Sequence, residues 1–194
     1  MNYLAHLLLS GPDRDMQVGG LLGDFVKGPL RGELPARVEQ GIRLHRHIDT
    51  LTDSHPSFMA ATRRLPGEWR RYRGILLDIY FDHLLACRWD DYHAASLEEF
   101  CGCFYRHLAR HREILPPRAL HFSRVAPQVA WLESYRAGER LPTMLDNVGR
   151  RLSRPVPLGE AWPALEQDRP FLEQAFETLM ADLLESARPH RQEP

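Results

Sequence analysis

The chain has 194 residues, of which 43% are hydrophobic and 26% charged, values typical of a globular protein with a sizeable core. Its formal net charge of −1 argues against a polyanion-binding protein, so no nucleic-acid partner is predicted. No apolar run approaches the roughly 18 residues that span a bilayer, and residues 1–10 are apolar but lack the basic start of a signal peptide. We therefore expect one soluble, cytoplasmic domain over residues 1–194, without a membrane partner and with its oligomeric state left open.

Helical periodicity dominates the sequence, and no alternating strand pattern stands out, which predicts an all-α fold. The expected architecture is a single-domain helical bundle of about eight to nine helices. A capping box at residues 96–99 begins one helix, and Pro170 should kink or divide the last one. The predicted helices, in chain order, cover residues 2–10, 18–26, 35–51, 57–65, 68–88, 96–111, 123–136, 142–152 and 159–187.

Histidine and aspartate concentrate in the first half of the chain, beside apolar helical residues. His45 and Asp49 are four apart, as are Asp78 and Asp82, so each pair lies on one helix face. Asp82 belongs to a segment that is hydrophobic nearly all round, which is typical of a buried helix. Buried carboxylates are costly unless they meet cations, hydrogen-bond donors or a metal. The pattern therefore predicts a site for a divalent ion, in which mixed nitrogen and oxygen ligands suit manganese, magnesium, iron or zinc.

The remaining histidines and the three cysteines carry weaker signals. Cys87, Cys101 and Cys103 have neither disulfide nor zinc spacing and are predicted to be free thiols. Only Cys87 is a candidate nucleophile, and a weak one. The sequence contains no nucleophile elbow, no phosphate-binding P-loop and no dinucleotide-binding fingerprint. The histidines predicted to lie at the surface are His47, His93, His107, His111, His121 and His190.

Taken in order, a set of motifs resembles the acyl-carrier-protein phosphodiesterases of bacteria over residues 1 to about 180. One of these motifs would be weak evidence, but the ordered set is specific. The motifs are Asn2-Tyr3-Leu4-Ala5-His6, Gly23-Asp24-Phe25-Val26-Lys27-Gly28, Gly41-Ile42-Arg43-Leu44-His45-Arg46 with Ile48-Asp49, Thr52-Asp53-Ser54-His55-Pro56, Asp82-His83-Leu84-Leu85-Ala86, and residues 131–135 and 151–155.

The resemblance implies an enzyme that removes 4′-phosphopantetheine from holo-acyl carrier protein with a divalent metal, typically manganese. It also implies an HD-domain-like fold, although residues 82–83 read Asp-His and not the His-Asp of HD proteins. The metal ligands expected on this basis are His6, Asp24, His45, Asp49 and Asp82. A metal-activated water would attack the phosphodiester. His83 or His55 would protonate the departing serine oxygen, while Arg43 and Arg46 would stabilise charge on the phosphate.

A basic surface should flank such a site, because acyl carrier proteins are strongly acidic. Residues 27–73 hold ten Lys or Arg against five Asp or Glu, whereas residues 155–194 hold three against eight. Electrostatic docking of this kind mainly raises the association rate and weakens with salt. The residues predicted to bind the carrier protein are Lys27, Arg63, Arg64, Arg70, Arg71 and Arg73.

Two other functions remain open from the sequence. An HD-like metal phosphohydrolase acting on a nucleotide or another small phosphodiester would use the same site. A helical protein that binds metal without turnover would carry the same His/Asp cluster. Activity on holo-carrier protein, compared with a panel of small phosphodiesters, separates the three.

Overall fold

Ten α-helices and six short 3₁₀ helices make up the regular structure of residues 2–192, which are the residues described by the computed structural model. No strand occurs among them, so the predicted all-α class is confirmed, with ten helices in place of eight to nine. None of these described helices combines the length and the apolar character that a membrane span requires. The helices are α1 (Tyr3–Leu9), α2 (Arg14–Leu22), α3 (Ala36–Ser54), α4 (Pro56–Arg64), α5 (Arg73–Cys87), α6 (Leu97–Arg110), α7 (Pro117–Val125), α8 (Leu141–Gly149), α9 (Trp162–Gln167) and α10 (Arg169–Gln192).

Helix α2 spans Arg14–Leu22 and not the predicted 18–26, because Asp13 caps its start; prolines explain helix bounds in the second half of the chain. The predicted helix over 123–136 is wrong: α7 starts earlier, with Pro117 in its first turn, and gives way to a 3₁₀ helix at Ala126–Val129. Pro127 cannot donate the next helical hydrogen bond, and its ring would meet the carbonyl of residue 123. Pro170 does divide the last predicted helix, because α9 ends at Gln167 and α10 begins at Arg169.

Helix α5 lies at the centre of the fold. Ten of its fifteen residues are buried, including Leu76, Leu77 and the run from Ile79 to Ala86. Burying a leucine or phenylalanine side chain contributes about 1.5–3 kcal/mol, so this helix is a major part of the hydrophobic core. The core is one continuous cluster to which α1–α10 all contribute buried side chains. Because α5 has no polar face, Asp82 and His83 are buried and need hydrogen-bonding partners inside the protein.

Helices α2 and α3 cross with their backbones in contact. A Cβ atom on Gly19 would lie 2.1 Å from the Val38 carbonyl oxygen and 2.7 Å from the Gly41 Cα. On Gly41, a Cβ would lie 2.2 Å from the Met16 carbonyl oxygen. Larger residues at this crossing would separate the helices. The close crossing brings the C-terminal end of α2 against the middle of α3, where the polar cluster lies.

Candidate metal centre

Three side chains from two helices meet in one cluster, His6 from α1 and His45 and Asp49 from α3. The Nε2 atom of His6 lies 3.1 Å from Oδ1 of Asp49, and the Nε2 atom of His45 lies 3.1 Å from Oδ2. The two imidazole rings are stacked, with centroids 3.8 Å apart. Both histidines are buried, whereas the Asp49 side chain is 43% exposed, so the cluster opens to one side through its carboxylate.

The protonation of the cluster suits a cation. The Nδ1 atom of His45 lies 2.7 Å from the Gly20 carbonyl oxygen, which can only accept, so this nitrogen carries the proton. Its Nε2 atom faces Asp49, where it donates to the carboxylate when it carries a proton and offers a lone pair to a cation when it does not. Burial, with the neighbouring His45, lowers the pKa of His6 to about 4, which leaves that ring neutral near pH 7. Burial alone would raise the pKa of Asp49, but hydrogen bonds from His45 and His6 hold it well below its usual range.

Gly23, at the end of α2, makes room for the His45 ring. A Cβ atom at this position would lie 2.1 Å from Cγ and 2.2 Å from Cδ2 of His45. The next residue, Asp24, places a carboxylate oxygen 3.9 Å from the His45 Nε2 atom, and its side chain is 43% exposed. Asp24 therefore lies at the edge of the cluster, beyond hydrogen-bond distance of His45.

A cavity of about 320 Å³ adjoins the cluster through Asp24, which forms part of its wall. That volume is at the lower end of the range for small-molecule pockets. The cavity combines carboxylates, arginines and aromatic or aliphatic groups. Its lining residues are Asn2, Tyr3, Asp24, Phe25, Ile75, Asp78, Ile79, Arg118, Trp131, Tyr135, Met144, Val148, Arg151 and Leu152.

Further carboxylates lie near the cluster. Partial burial and the negative charges of Asp78 and Asp49 raise the pKa of Asp53. Asp78 also lines the cavity, so negative charge extends from the histidine pair toward the cavity wall. An anionic surrounding of this kind favours a bound cation.

Asp82, one of the predicted metal ligands, has a different set of contacts. Its two oxygens accept hydrogen bonds from the backbone N–H groups of Leu4 and Ala5, at 2.7 and 3.1 Å, so the side chain caps the start of α1. Burial raises the pKa of Asp82 to about 7, while these two donors lower it. Asp82 does not belong to the group of His6, His45 and Asp49, whose ligand atoms all lie within 4.8 Å of one another. The contacts give Asp82 the role of positioning the helix that carries His6.

Replacing Asp82 with alanine should therefore destabilise the protein as well as the site. Two buried N–H groups would lose their acceptor, and we expect the free energy of unfolding to fall by about 2–3 kcal/mol, from the cost of lost caps and unpaired donors. Urea denaturation measures this change. The Asp82→Asn variant keeps one acceptor oxygen and should lose less. Unchanged stability with loss of bound metal would instead make Asp82 a direct ligand.

The histidines predicted as proton donors lie elsewhere. His55 is the N-cap of α4, where Nδ1 accepts from the Ser57 N–H at 3.2 Å and Nε2 contacts Asp182 of α10 at 2.9 Å. His83 is buried, with Nδ1 2.7 Å from the Tyr135 carbonyl oxygen. Neither lines the cavity beside Asp24. Both have contacts expected of structural residues.

The two arginines predicted to bind phosphate are also held by other groups. Arg43 pairs with Glu39, one turn earlier on α3, at 2.8 Å. Arg46 donates to the Val26 carbonyl oxygen at 3.0 Å and so ties the segment after Asp24 to α3. The arginines that do line the cavity are Arg118 and Arg151, which the sequence reasoning missed because they lie far from the histidine motifs.

The predicted docking residues divide into two groups. Arg64 forms a two-point ion pair with Asp168, at 2.6 and 2.9 Å, and Arg73 donates to backbone carbonyls of residues 65 and 66. Lys27, Arg63, Arg70 and Arg71 are exposed. Arg71 also lines a groove, together with Arg154, that shares Ile75 and Leu152 with the cavity. The arginines of the cavity and the groove therefore come from the segment before α5, from α7 and from the segment after α8.

The cysteines have no disulfide partner, as predicted. Burial raises the pKa of Cys87 and of Cys101, which argues against a thiolate nucleophile at either position. Among the histidines expected at the surface, His47 and His121 are exposed, whereas His93, His107, His111 and His190 are only partly exposed; His107 and His111 contact Asp15. The spacing of four between His107 and His111 places both on one helix face, and this was the sequence signal for a shared contact.

The donor set fits a divalent ion. Two imidazoles and a carboxylate are ligands shared by manganese, iron and zinc sites, and the carbonyl behind His45 is the kind of outer partner that orients such ligands. The fold and this cluster define an all-helical protein with a His/Asp centre beside a cavity lined by arginines.

Comparison with known proteins identifies the family. The sequence model of the acyl carrier protein phosphodiesterase family matches residues 1–183, so the chain belongs to that family. A relative from Yersinia pestis with that name is 31% identical over 193 residues, covering 99% of this chain and all of the relative. Relatives of the same name from Serratia proteamaculans and Salmonella agona are 31% and 32% identical and cover 97% and 91% of this chain, and 98% and 92% of their own lengths. No solved structure was found to match.

Proposed function

We propose that this protein hydrolyses the phosphodiester that links 4′-phosphopantetheine to a serine of holo-acyl carrier protein, and that it does so with a divalent metal. Family membership supports the reaction, since the full-length relatives are named for it. The main structural support for this site is the position of Asp24, which lies beside His45 and also lines the cavity. A phosphodiester at the cavity mouth would meet the histidine cluster there.

His6, His45 and Asp49 would hold the ion, with Asp24 as a further carboxylate at the edge of the cluster. When bound, the ion supplies Lewis-acid polarisation of the phosphoryl oxygen and lowers the pKa of an attacking water. Manganese is the first choice, and magnesium, iron and zinc are alternatives with the same ligand types. Asp82 fixes the start of α1 and thereby the position of His6.

The cavity would receive the phosphopantetheine arm. Its apolar lining from Tyr3, Trp131 and Met144 offers contact area for the aliphatic chain. Arg118 and Arg151 place guanidinium groups on the same wall, where their planar donors match phosphate oxygens. These two residues take the phosphate-binding role that the sequence assigned to Arg43 and Arg46.

Incubation of holo-carrier protein with this protein and manganese tests the proposal. We expect the carrier protein to lose the mass of 4′-phosphopantetheine, and a chelator to prevent the loss. An unchanged carrier protein, with folded and metal-loaded enzyme, would contradict the proposal. Hydrolysis of small phosphodiesters alone would then favour the nucleotide-type phosphohydrolase, and bound metal without any hydrolysis would favour a metal-binding protein.

Reversing the charge of Arg71 and Arg154 should weaken recognition of the carrier protein. Both residues line the groove that continues from the cavity, so an acidic partner whose arm enters the cavity would pass over them. For the double variant Arg71→Glu, Arg154→Glu we expect KM for holo-carrier protein to rise about tenfold at low salt, with a smaller rise at moderate salt. Steady-state kinetics at two salt concentrations measure the change.

The Arg188→Glu variant is the control for a reversed charge. Arg188 is exposed on the last part of α10, close to Arg191, which donates to the Leu9 carbonyl at the far end of α1 from the cavity. Its KM should be unchanged. Equal KM values for the double variant and the wild type would contradict the proposed docking surface without affecting the proposed metal centre.

A further inference from the structure

A second group of ligand-type side chains lies away from the proposed active site. His107 and His111 belong to the last turn and C-terminal cap of α6, and Asp15 belongs to the first turn of α2. The two Nε2 atoms lie 2.7 and 2.9 Å from the same carboxylate oxygen, Oδ1 of Asp15. They lie 3.1 Å from each other.

The geometry points to a second site for a divalent ion of the zinc class, held by Asp15, His107 and His111. Zinc is bound at about 2.0–2.1 Å by imidazole nitrogens and carboxylate oxygens in tetrahedral sites, which places neighbouring ligand atoms about 3.3 Å apart. The observed separations of 2.7, 2.9 and 3.1 Å form a triangle only slightly smaller than that. A small outward movement of each side chain would give room for the ion.

An ion pair alone accounts poorly for this arrangement. If both Nε2 atoms donated to the shared oxygen, two N–H groups would stand side by side with their nitrogens 3.1 Å apart. If one nitrogen carried no proton, its lone pair would face an anionic oxygen 2.7 or 2.9 Å away. A cation between the three atoms removes both conflicts, because all three then contribute lone pairs to it.

Local structure holds the three ligands in place. His107 and His111 are four apart on α6 and so share a helix face, and both side chains are mostly shielded from solvent. Asp13 caps α2 and accepts from the Asp15 N–H at 2.9 Å, while Arg37 of α3 pairs with Asp13 at 2.8 Å. The carboxylate therefore comes from an anchored helix start, and the C-terminal end of α6 adds negative potential that favours a cation.

The fourth ligand position would be open to solvent or to an anion. A groove beside the cluster is lined by His107, by Cys103 and by three arginines, Arg14, Arg106 and Arg110. Their charge lowers the affinity for a bare cation and favours an anion as the remaining ligand. The site is separate from the first one, since Asp15 and Asp24 stand at opposite ends of α2, about 13 Å apart at the rise of a helix.

Zinc titration of chelator-stripped protein tests the second site. The Asp49→Asn variant removes a proposed ligand of the first site, so that its zinc binding reports on the second site. We expect this variant to bind one zinc ion, as measured by calorimetry and by metal analysis. Adding His107→Gln and His111→Gln should weaken that binding at least about 100-fold. The control replaces the exposed His121 by glutamine in the same background, with zinc binding retained.

The melting temperature is a second measurement, and it distinguishes loss of zinc binding from failure to fold. Zinc should raise the melting temperature of Asp49→Asn protein, because a ligand that binds only the folded state stabilises it. The shift should vanish in the His107→Gln, His111→Gln background and in Asp15→Asn, which keeps the side-chain shape. Equal zinc binding and equal melting shifts with and without His107 and His111 would overturn the proposal, whatever the outcome for carrier-protein hydrolysis.

Discussion

Replacement of Asp49 by asparagine should reduce hydrolysis of holo-carrier protein at least about 100-fold. Asp49 contacts both His6 and His45, at 3.1 Å each. Asparagine keeps the volume but removes the charge, and loss of groups that hold a metal costs on the order of 10–100-fold even for outer partners. Metal content and turnover, measured on the same preparation, should fall together.

The Asp90→Asn variant is the matched control, since it removes one exposed carboxylate from the short helix after α5. It should keep full activity and metal content. Asp24→Asn should be less severe than Asp49→Asn, because Asp24 stands 3.9 Å from His45 and is not in hydrogen-bond contact with it. Near-normal turnover in Asp49→Asn, with bound metal intact, would exclude the cluster as the catalytic centre.

Replacement of Gly23 by alanine should have an effect of similar size, although glycine has no side chain to contribute. The new methyl group would overlap the buried His45 ring, whose Cγ, Cδ2 and Cβ atoms would all lie within 2.7 Å of it. The ring cannot turn aside while its Nδ1 is held by the Gly20 carbonyl. We expect metal affinity and turnover to fall about 100-fold, since catalytic groups must be held to within about 0.5 Å.

Gly74→Ala is the control for the same chemical change, because a Cβ atom there would meet nothing within 4 Å. It lies in α5, where alanine is favoured over glycine by about 1 kcal/mol. Stability should be unchanged or higher, with activity retained. Full activity in Gly23→Ala would mean that the His45 position observed here is not the one that catalysis needs.

Local pattern was sufficient to predict the helical class and part of the site. His45 and Asp49 are four apart on one helix, and that spacing alone brings them together. The addition of His6 could be inferred from the motif set but not from spacing, because its position depends on α1 packing against α2 and α5. The division of the last helix at Pro170 was predicted. The end of α7 before Pro127 was missed, because apolar residues continue the helical pattern through that position.

The role of Asp82 shows why the rest of the site was harder to predict. A carboxylate in an apolar helix must have a partner, and the sequence cannot tell a metal from a pair of backbone N–H groups 77 and 78 residues away. The same ambiguity applies to His55, which contacts the Ser57 N–H and Asp182, and to His83, which contacts the Tyr135 carbonyl oxygen. His107 and His111 were missed because their third partner, Asp15, lies more than 90 residues earlier.

The cavity wall has a consequence for synthesis of the protein. All four residues proposed to hold the ion lie within the first 49 positions, whereas Trp131, Tyr135 and Arg151 of the facing wall are made much later. The helix that supports α1 through Asp82 comes between these two groups. Every residue of the first metal centre, together with Asp82, thus precedes the residues of the facing cavity wall in the order of synthesis. The proposed ion ligands therefore leave the ribosome before the residues that complete the cavity are made.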